Sequence, residues 1–222
     1  MIEIILDTET TGLKASEGHR IVEIGCIELN ELIPTKNKFH CYLNPERKVS
    51  EDAFKIHGYT DDFLSKQKKF AEIVDEFLNF IKGKRLVIHN AGFDISHLNN
   101  ELKILGRDKI NEEIIDTLQI ARDKFPGSST SLDALCKRYG IDNSRREKHN
   151  AVLDCELLSK IYINLLDQRE PTLDLNVENN QNNQKVSNYN NKYFNKIIKP
   201  TEEELKLHKE YLKREIKKNY FN

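Results

Sequence analysis

The sequence has almost no net charge, few apolar residues, no paired cysteines and no long apolar run. With 35 basic and 36 acidic residues its formal charge is −1, so composition alone does not announce nucleic acid. It does not exclude it, because carboxylates gathered in one site can offset basic surfaces elsewhere, and bound metal supplies positive charge locally. The apolar fraction of 38% is low for a wholly globular chain, so part of it is expected to bury nothing. Cys26, Cys41, Cys136 and Cys155 show no C-x-x-C pair and no zinc spacing, and are expected to be core thiols of a reducing cytoplasm. The N-terminus leads into a strand without a basic segment and no apolar run approaches membrane length, so a soluble, unsecreted protein is expected. A length of 222 residues accommodates one ordinary domain with a remainder, or two small ones.

What is present begins with MIEIILDTETTGL. Ile2, Ile4, Ile5 and Leu6 have the composition of a strand buried within a sheet, and that strand delivers Asp7 and Glu9 at its end. Alternation puts both carboxylates on one face. At an extended rise they stand roughly 7 Å apart, too far to share a proton and close enough to share a divalent ion.

Further along, 20–29 (RIVEIGCIEL) is predicted as a second strand and 38–43 (KFHCYL) as a third, together an antiparallel meander. Phe70, Ile73, Val74, Phe77, Leu78 and Ile81 recur at helical spacing, with Gly83 past the end. Residues 85–89 (RLVIH) form a buried strand, followed by an Asn90-Ala91-Gly92 turn and a helix over 94–105. Helices are predicted over 113–124 and 132–139, the latter capped by Ser131 and closed by Gly140, and a final core helix over 151–167. The whole is an α/β fold with a mixed sheet flanked by helices, expected to occupy 1–170. Residues 171–199 are dominated by Asn and Gln and read as a flexible linker. Thr201 and Glu204 form a capping box for a helical tail over 200–222, with Leu205, His208, Leu212 and Ile216 on one face. Such a face on a tether suits a helix that orders on a partner.

Asp94, at the strand-to-helix turn of HNAGFD, and Asp154, in the helix after HNAVLD, are expected to reach the sheet end that holds Asp7 and Glu9. Four converging carboxylates repel one another by several kcal/mol unless cations are bound. All-oxygen ligands select hard ions, Mg²⁺ or Mn²⁺, and two of them about 3.5–4 Å apart serve in-line phosphoryl displacement. His149, five residues before Asp154, has a pKa suited to taking a proton from an attacking water.

The blocks LDTETTGL, EIGCIEL, KIHG, LVIHNAGFDISHL, SLDALCKRYGI and HNAVLD together resemble the DEDDh 3′–5′ exonucleases, an RNase H-like fold, over 2–166. Within that family the chain is most similar to the proofreading subunits of bacterial replicative DNA polymerases. The tail KPTEEELKLHKEYLKREIKK is similar to the segment by which such subunits bind the polymerase alpha subunit. The resemblance implies that Asp7, Glu9 and Asp154 bind metal directly, that Asp94 completes the cluster and that His149 is the general base. It further implies that Asp52, His57 and the backbone of Thr10 lie beside the terminal nucleotide of a DNA 3′ end. Asp52 stands where relatives often carry the longer Glu, and Tyr220-Phe221 closes a tail without the tryptophan common in relatives. Leu173-Asp174-Leu175 vaguely resembles peptides that bind the sliding clamp, without their usual glutamine and terminal aromatic. Asn90 reads equally as a turn former or a site residue, and Asp116 as a helix-surface acid. Other readings are a free-standing nuclease acting on RNA or single-stranded DNA ends, and a non-catalytic subunit that stabilises a polymerase.

Overall fold

The structure is a computed structural model that describes residues 1–167 and 200–215. The expected linker over 171–199 and the clamp-binding segment at 173–175 lie outside the described residues. The chain falls into two units, Met1–Leu173 and Asp174–Asn222.

The first unit is built on a five-stranded sheet in the order β3-β2-β1-β4-β5. Strand β1 (Ile2–Thr10) is central, antiparallel to β2 (Ile21–Asn30) and parallel to β4 (Arg85–Ile88). β3 (Ile33–Tyr42) pairs antiparallel with β2, and β5 (Ile114–Asp116) runs parallel to β4. Helices cover both faces, which is why β1 is apolar at consecutive positions instead of alternating. Ile4 and Leu6 pack with Phe70, Val74 and Phe77 of α3 (Phe70–Ile81) and with Leu98 and Leu102 of α4 (Ala91–Ile104). Ile5 and Val87 pack on the other face with Cys155, Leu158 and Tyr162 of α7 (Ala151–Leu165). Against α7 lie α5 (Thr117–Lys124) and α6 (Leu132–Tyr139), through Ala121, Leu135 and Cys136. The four cysteines are free, three of them buried.

Two expectations are corrected, and one stretch for which no element was predicted proves helical. β3 starts at Ile33 instead of 38 because Glu31 and Leu32 both take positive φ, 50° and 65°. Their conformation is that of a tight two-residue hairpin turn, made here without the usual Asn-Gly. The helix expected over 113–124 is a short strand followed by a helix, because Ile114 to Asp116 pair with β4 before the chain turns. Finally, 51–65, left without secondary structure, holds α1 (Glu51–His57) and α2 (Asp61–Ser65). Each is capped by a hydroxyl, Ser50 accepting from Ala53 N and Thr60 from Phe63 N. Helices this short carry almost no periodic signal.

In the second unit, α8 (Glu202–Glu215) begins at the expected capping box. Thr201 Oγ1 accepts from Glu204 N at 3.3 Å, and Glu204 Oε2 accepts from Thr201 N at 2.8 Å. No helix among the described residues is long and apolar enough to cross a membrane.

Candidate active site

The parallel strands β1, β4 and β5 end on one side of the sheet, the edge where open α/β sheets place their ligands. A cleft of about 800 Å³ opens there, and Asp7, Glu9, Thr10, Asp52, His57, Asp94, His149 and Asp154 all line it.

Asp7 and Glu9 share the face of β1 turned toward α7. The β1–β2 ladder slips between Glu9 and Thr10, a bulge that ends regular pairing next to the cleft. Asn90 turns the chain from β4 into α4 with φ +68°, so it is a turn former that also lines the cleft. That turn places Asp94 in the first helical turn, where its Oδ1 accepts from Thr8 N at 3.0 Å and Thr8 Oγ1 at 2.7 Å. Asp116 is not a helix-surface acid. It caps α5 by accepting from Leu118 N at 2.9 Å, and the same oxygen accepts from Asn90 N at 3.0 Å.

His149 directly precedes Asn150, the N-cap of α7, whose side chain accepts from Leu153 N at 3.0 Å. The His149 backbone N–H donates to Ile56 O at 3.1 Å, tying this loop to α1. Asp154 follows in the first turn of α7. His149 Nδ1 stands 3.6 Å from Asp154 Oδ2 and 3.9 Å from Glu9 Oε1. His57 closes α1, is buried, stacks on Tyr59 with ring centroids 4.7 Å apart, and has no partner at Nε2 among the described residues. Asp52 is exposed at the cleft mouth, paired with Lys55 at 3.1 Å. Thr10 is buried, and its hydroxyl donates to Gly12 O at 2.8 Å.

Burial, reinforced by the neighbouring Asp94, Glu9 and Asp154, pushes the Asp7 carboxyl well above its usual range. Burial and then Asp154 push Glu9 up to about 8. Burial also raises Asp94 to about 7 against the opposing bonds from Thr8. His149 is held below the usual imidazole range, first by burial and then by the Arg146 guanidinium. The cleft therefore penalises its own negative charge and favours a bound cation.

Sequence reasoning missed two residues here. Arg146 is nearly buried and grips Asp154 through two bonds, Nε to Oδ1 at 2.5 Å and Nη2 to Oδ2 at 2.7 Å. Its Nη2 also lies 3.0 Å from His149 Nδ1. One arginine three residues before a histidine carries no signal, because only the fold brings Asp154 to it. Glu23 is the second, a buried acid of β2 directly across from Glu9.

Whether the donors suit a divalent ion can be read from their chemistry. Glu9, His149 and Asp154 offer three ligand atoms within 4.8 Å of one another, and Arg146 already supplies one positive charge at Asp154. Asp7 is not in that trio and faces it from the same side of β1. A cluster dominated by carboxylate oxygens fits a hard divalent cation.

A mixed sheet with four acids and a histidine converging at the ends of its parallel strands defines a nuclease fold of the RNase H-like class. Exonuclease X, solved in complex with 5′ overhanging duplex DNA, superposes with a TM-score of 0.60 at 24% identity, over 77% of this chain and 94% of that one. The sequence pattern of the Exonuclease family matches residues 4–162. DNA polymerase III subunit epsilon of Rickettsia felis is 48% identical over 219 residues, 95% of each chain. The subunit of the same name from Escherichia coli K12 is 48% identical over 169 residues, 72% of this chain and 70% of that one. The chain belongs to the Exonuclease family. It is a 3′–5′ exonuclease of the replication-proofreading kind, and members of its fold use divalent metal ions.

Proposed function

We propose that the chain removes 3′-terminal nucleotides from DNA primers while docked on a replicative polymerase, at the chromosome in the cytoplasm. The observation that carries this reading is the convergence of Asp7, Glu9, Asp94, Asp154 and His149 in one cleft of an exonuclease fold. Asp7, Glu9 and Asp154 would hold the metal, and Asp94, tied to Thr8, completes the acid cluster. When bound, two hard divalent ions, Mg²⁺ or Mn²⁺, supply the Lewis acidity and positive charge for an in-line phosphoryl displacement. His149 takes a proton from the attacking water; the new P–O bond forms as the bond to the 3′ oxygen breaks, releasing a nucleoside monophosphate, while that oxygen stays on the shortened strand and takes a proton from solvent as its new 3′ hydroxyl. An imidazole held below its usual range is neutral at pH 7 and can accept that proton. For this step Arg146 must leave His149 Nδ1, since its guanidinium points at the same lone pair. His57, Thr10 and the exposed Asp52 line the part of the cleft where the terminal nucleotide would lie.

The domain plan follows. Residues 1–170 are the nuclease, 171–199 a linker and 200–222 the tether to the polymerase alpha subunit, with 173–175 as a contact for the sliding clamp. The match to the Rickettsia subunit supports this plan, because it covers 95% of the chain whereas the Exonuclease pattern ends at 162. The test is Mg²⁺-dependent digestion of a mismatched primer against matched DNA and RNA, with and without the polymerase subunit. Asp7→Ala and Asp154→Ala should each abolish digestion; Asp7→Ala should melt no earlier than the parent, because fewer like charges crowd the cleft, whereas Asp154→Ala strands the nearly buried Arg146 and should melt earlier while still folding. Either variant digesting at a rate near the parent's would refute the site.

A further inference from the structure

Glu23 stands beside the cleft, and no role described so far uses it. It is fully buried, and its position opposite Glu9 in the β1–β2 ladder points its side chain to the same face of the sheet. An isolated acid there would join the metal-binding carboxylates. Instead its oxygens are saturated. Oε1 accepts from His40 Nε2 and Asn150 Nδ2, both at 2.8 Å. Oε2 accepts from Tyr59 OH at 2.7 Å and Ala151 N at 3.0 Å. A carboxylate has about four lone-pair sites, so Glu23 has no site left over for a metal.

The four donors come from β3, from the segment after α1 and from the first turn of α7. Two of those places bracket His149. Asn150 and Ala151 directly follow it, and its own N–H donates to Ile56 O in α1 at 3.1 Å. Tyr59, two residues past the end of α1, stacks on His57. We propose that Glu23 is a positioning residue, clamping the start of α7 to the end of α1 so that the His149 imidazole is held over the cleft. This rests on the reading of His149 as the base. Buried carboxylates with full hydrogen bonding are rigid supports, because losing any one acceptor leaves a buried donor unpaired.

Glu23→Gln keeps the size but turns one oxygen into an N–H₂ group that faces two donors. In the full chain it should lower kcat for hydrolysis of a single-stranded oligonucleotide by about 10–100-fold. KM should change by less than about threefold, and Mn²⁺ affinity by calorimetry should fall by no more than about tenfold, since Asp7 and Glu9 sit on a different strand and Asp154, on the turn Glu23 supports, is also held by Arg146. The deciding measurement is the same substitution in a His149→Ala background, where it should change kcat by less than about threefold because the residue it positions is gone. An equal loss in both backgrounds, a loss of Mn²⁺ binding beyond about tenfold, or an undiminished kcat in the parent background would each overturn the proposal. A His149→Ala variant with parental kcat would be a separate result, removing the base assignment and this proposal with it. Should Glu23→Gln fail to fold, Tyr59→Phe removes one of the four donors and is judged by the same cycle, with an expected loss of up to about tenfold.

Discussion

Gly25 offers the sharpest test of how the site is held. It lies opposite Asp7 in β2, with the start of α7 directly upon it. A Cβ added there would fall 2.6 Å from Ala151 C, 2.7 Å from Ala151 O and 2.8 Å from Val152 N. These are helix backbone atoms and cannot rotate away. To restore ordinary contact, which begins at 3.4 Å, the first turn of α7 has to retreat by about 0.8 Å. Overpacking of this kind costs about 1–3 kcal/mol. Replacing glycine at a compatible position would instead stabilise by about 0.4–1 kcal/mol through the unfolded chain, so the two effects oppose each other and the clash wins. For a domain of this size Gly25→Ala should lower Tm by roughly 2–10 °C. The functional loss should be larger, because the displaced turn carries Asp154 and follows His149. A misplacement near 1 Å costs about 10²-fold in rate. Thermal melting and single-turnover digestion of a single-stranded oligonucleotide check both figures. An unchanged or raised Tm, with a rate within about twofold of the parent, would refute the close approach of α7 to β2.

The raised carboxylates predict a pH effect on metal-free protein. Glu9 near 8 and Asp94 near 7 keep protons in the folded state that the unfolded chain has released, so stability is lost as pH rises through that window. His149 and His57, held below the ordinary 6.5, add stability as pH rises only beneath that value, which leaves the range above it to the acids. Unfolding free energy in a chelator should therefore fall by roughly 2 kcal/mol from pH 6.5 to 8 and be restored by Mn²⁺; a metal-free stability that rises across this range would contradict the charge accounting. Deleting everything after 176 should leave digestion of free primers almost unchanged while binding to the polymerase subunit falls sharply, because a tether supplies contacts and local concentration. Leu205→Asp with Leu212→Asp should mimic the deletion, and co-purification at undiminished affinity would move the interface onto the nuclease domain.

The amino-acid sequence by itself determined the parts of this protein that are local in cause. A run of isoleucines ending in Asp7 and Glu9 makes a buried strand with two carboxylates on one face, whatever surrounds it. The spacing of Phe70, Ile73, Val74 and Phe77 makes a helix, observed as Phe70–Ile81. Ser131 and Gly140 cap α6 where expected. Where the cause was distant, the pattern was silent. Ile114 to Asp116 are a strand only because β4 lies beside them, and the hairpin at Glu31 and Leu32 is tight only because β2 and β3 pair there. The same holds in the cleft. The acids and His149 announce themselves by residue type and spacing. Arg146 and Glu23 do not, since an arginine in a loop and a glutamate in a strand acquire a role only when folding buries them against partners 8 and 128 residues away. Short-range chemistry is legible in order along the chain; burial and the hydrogen bonds it makes obligatory exist only after the chain has closed on itself.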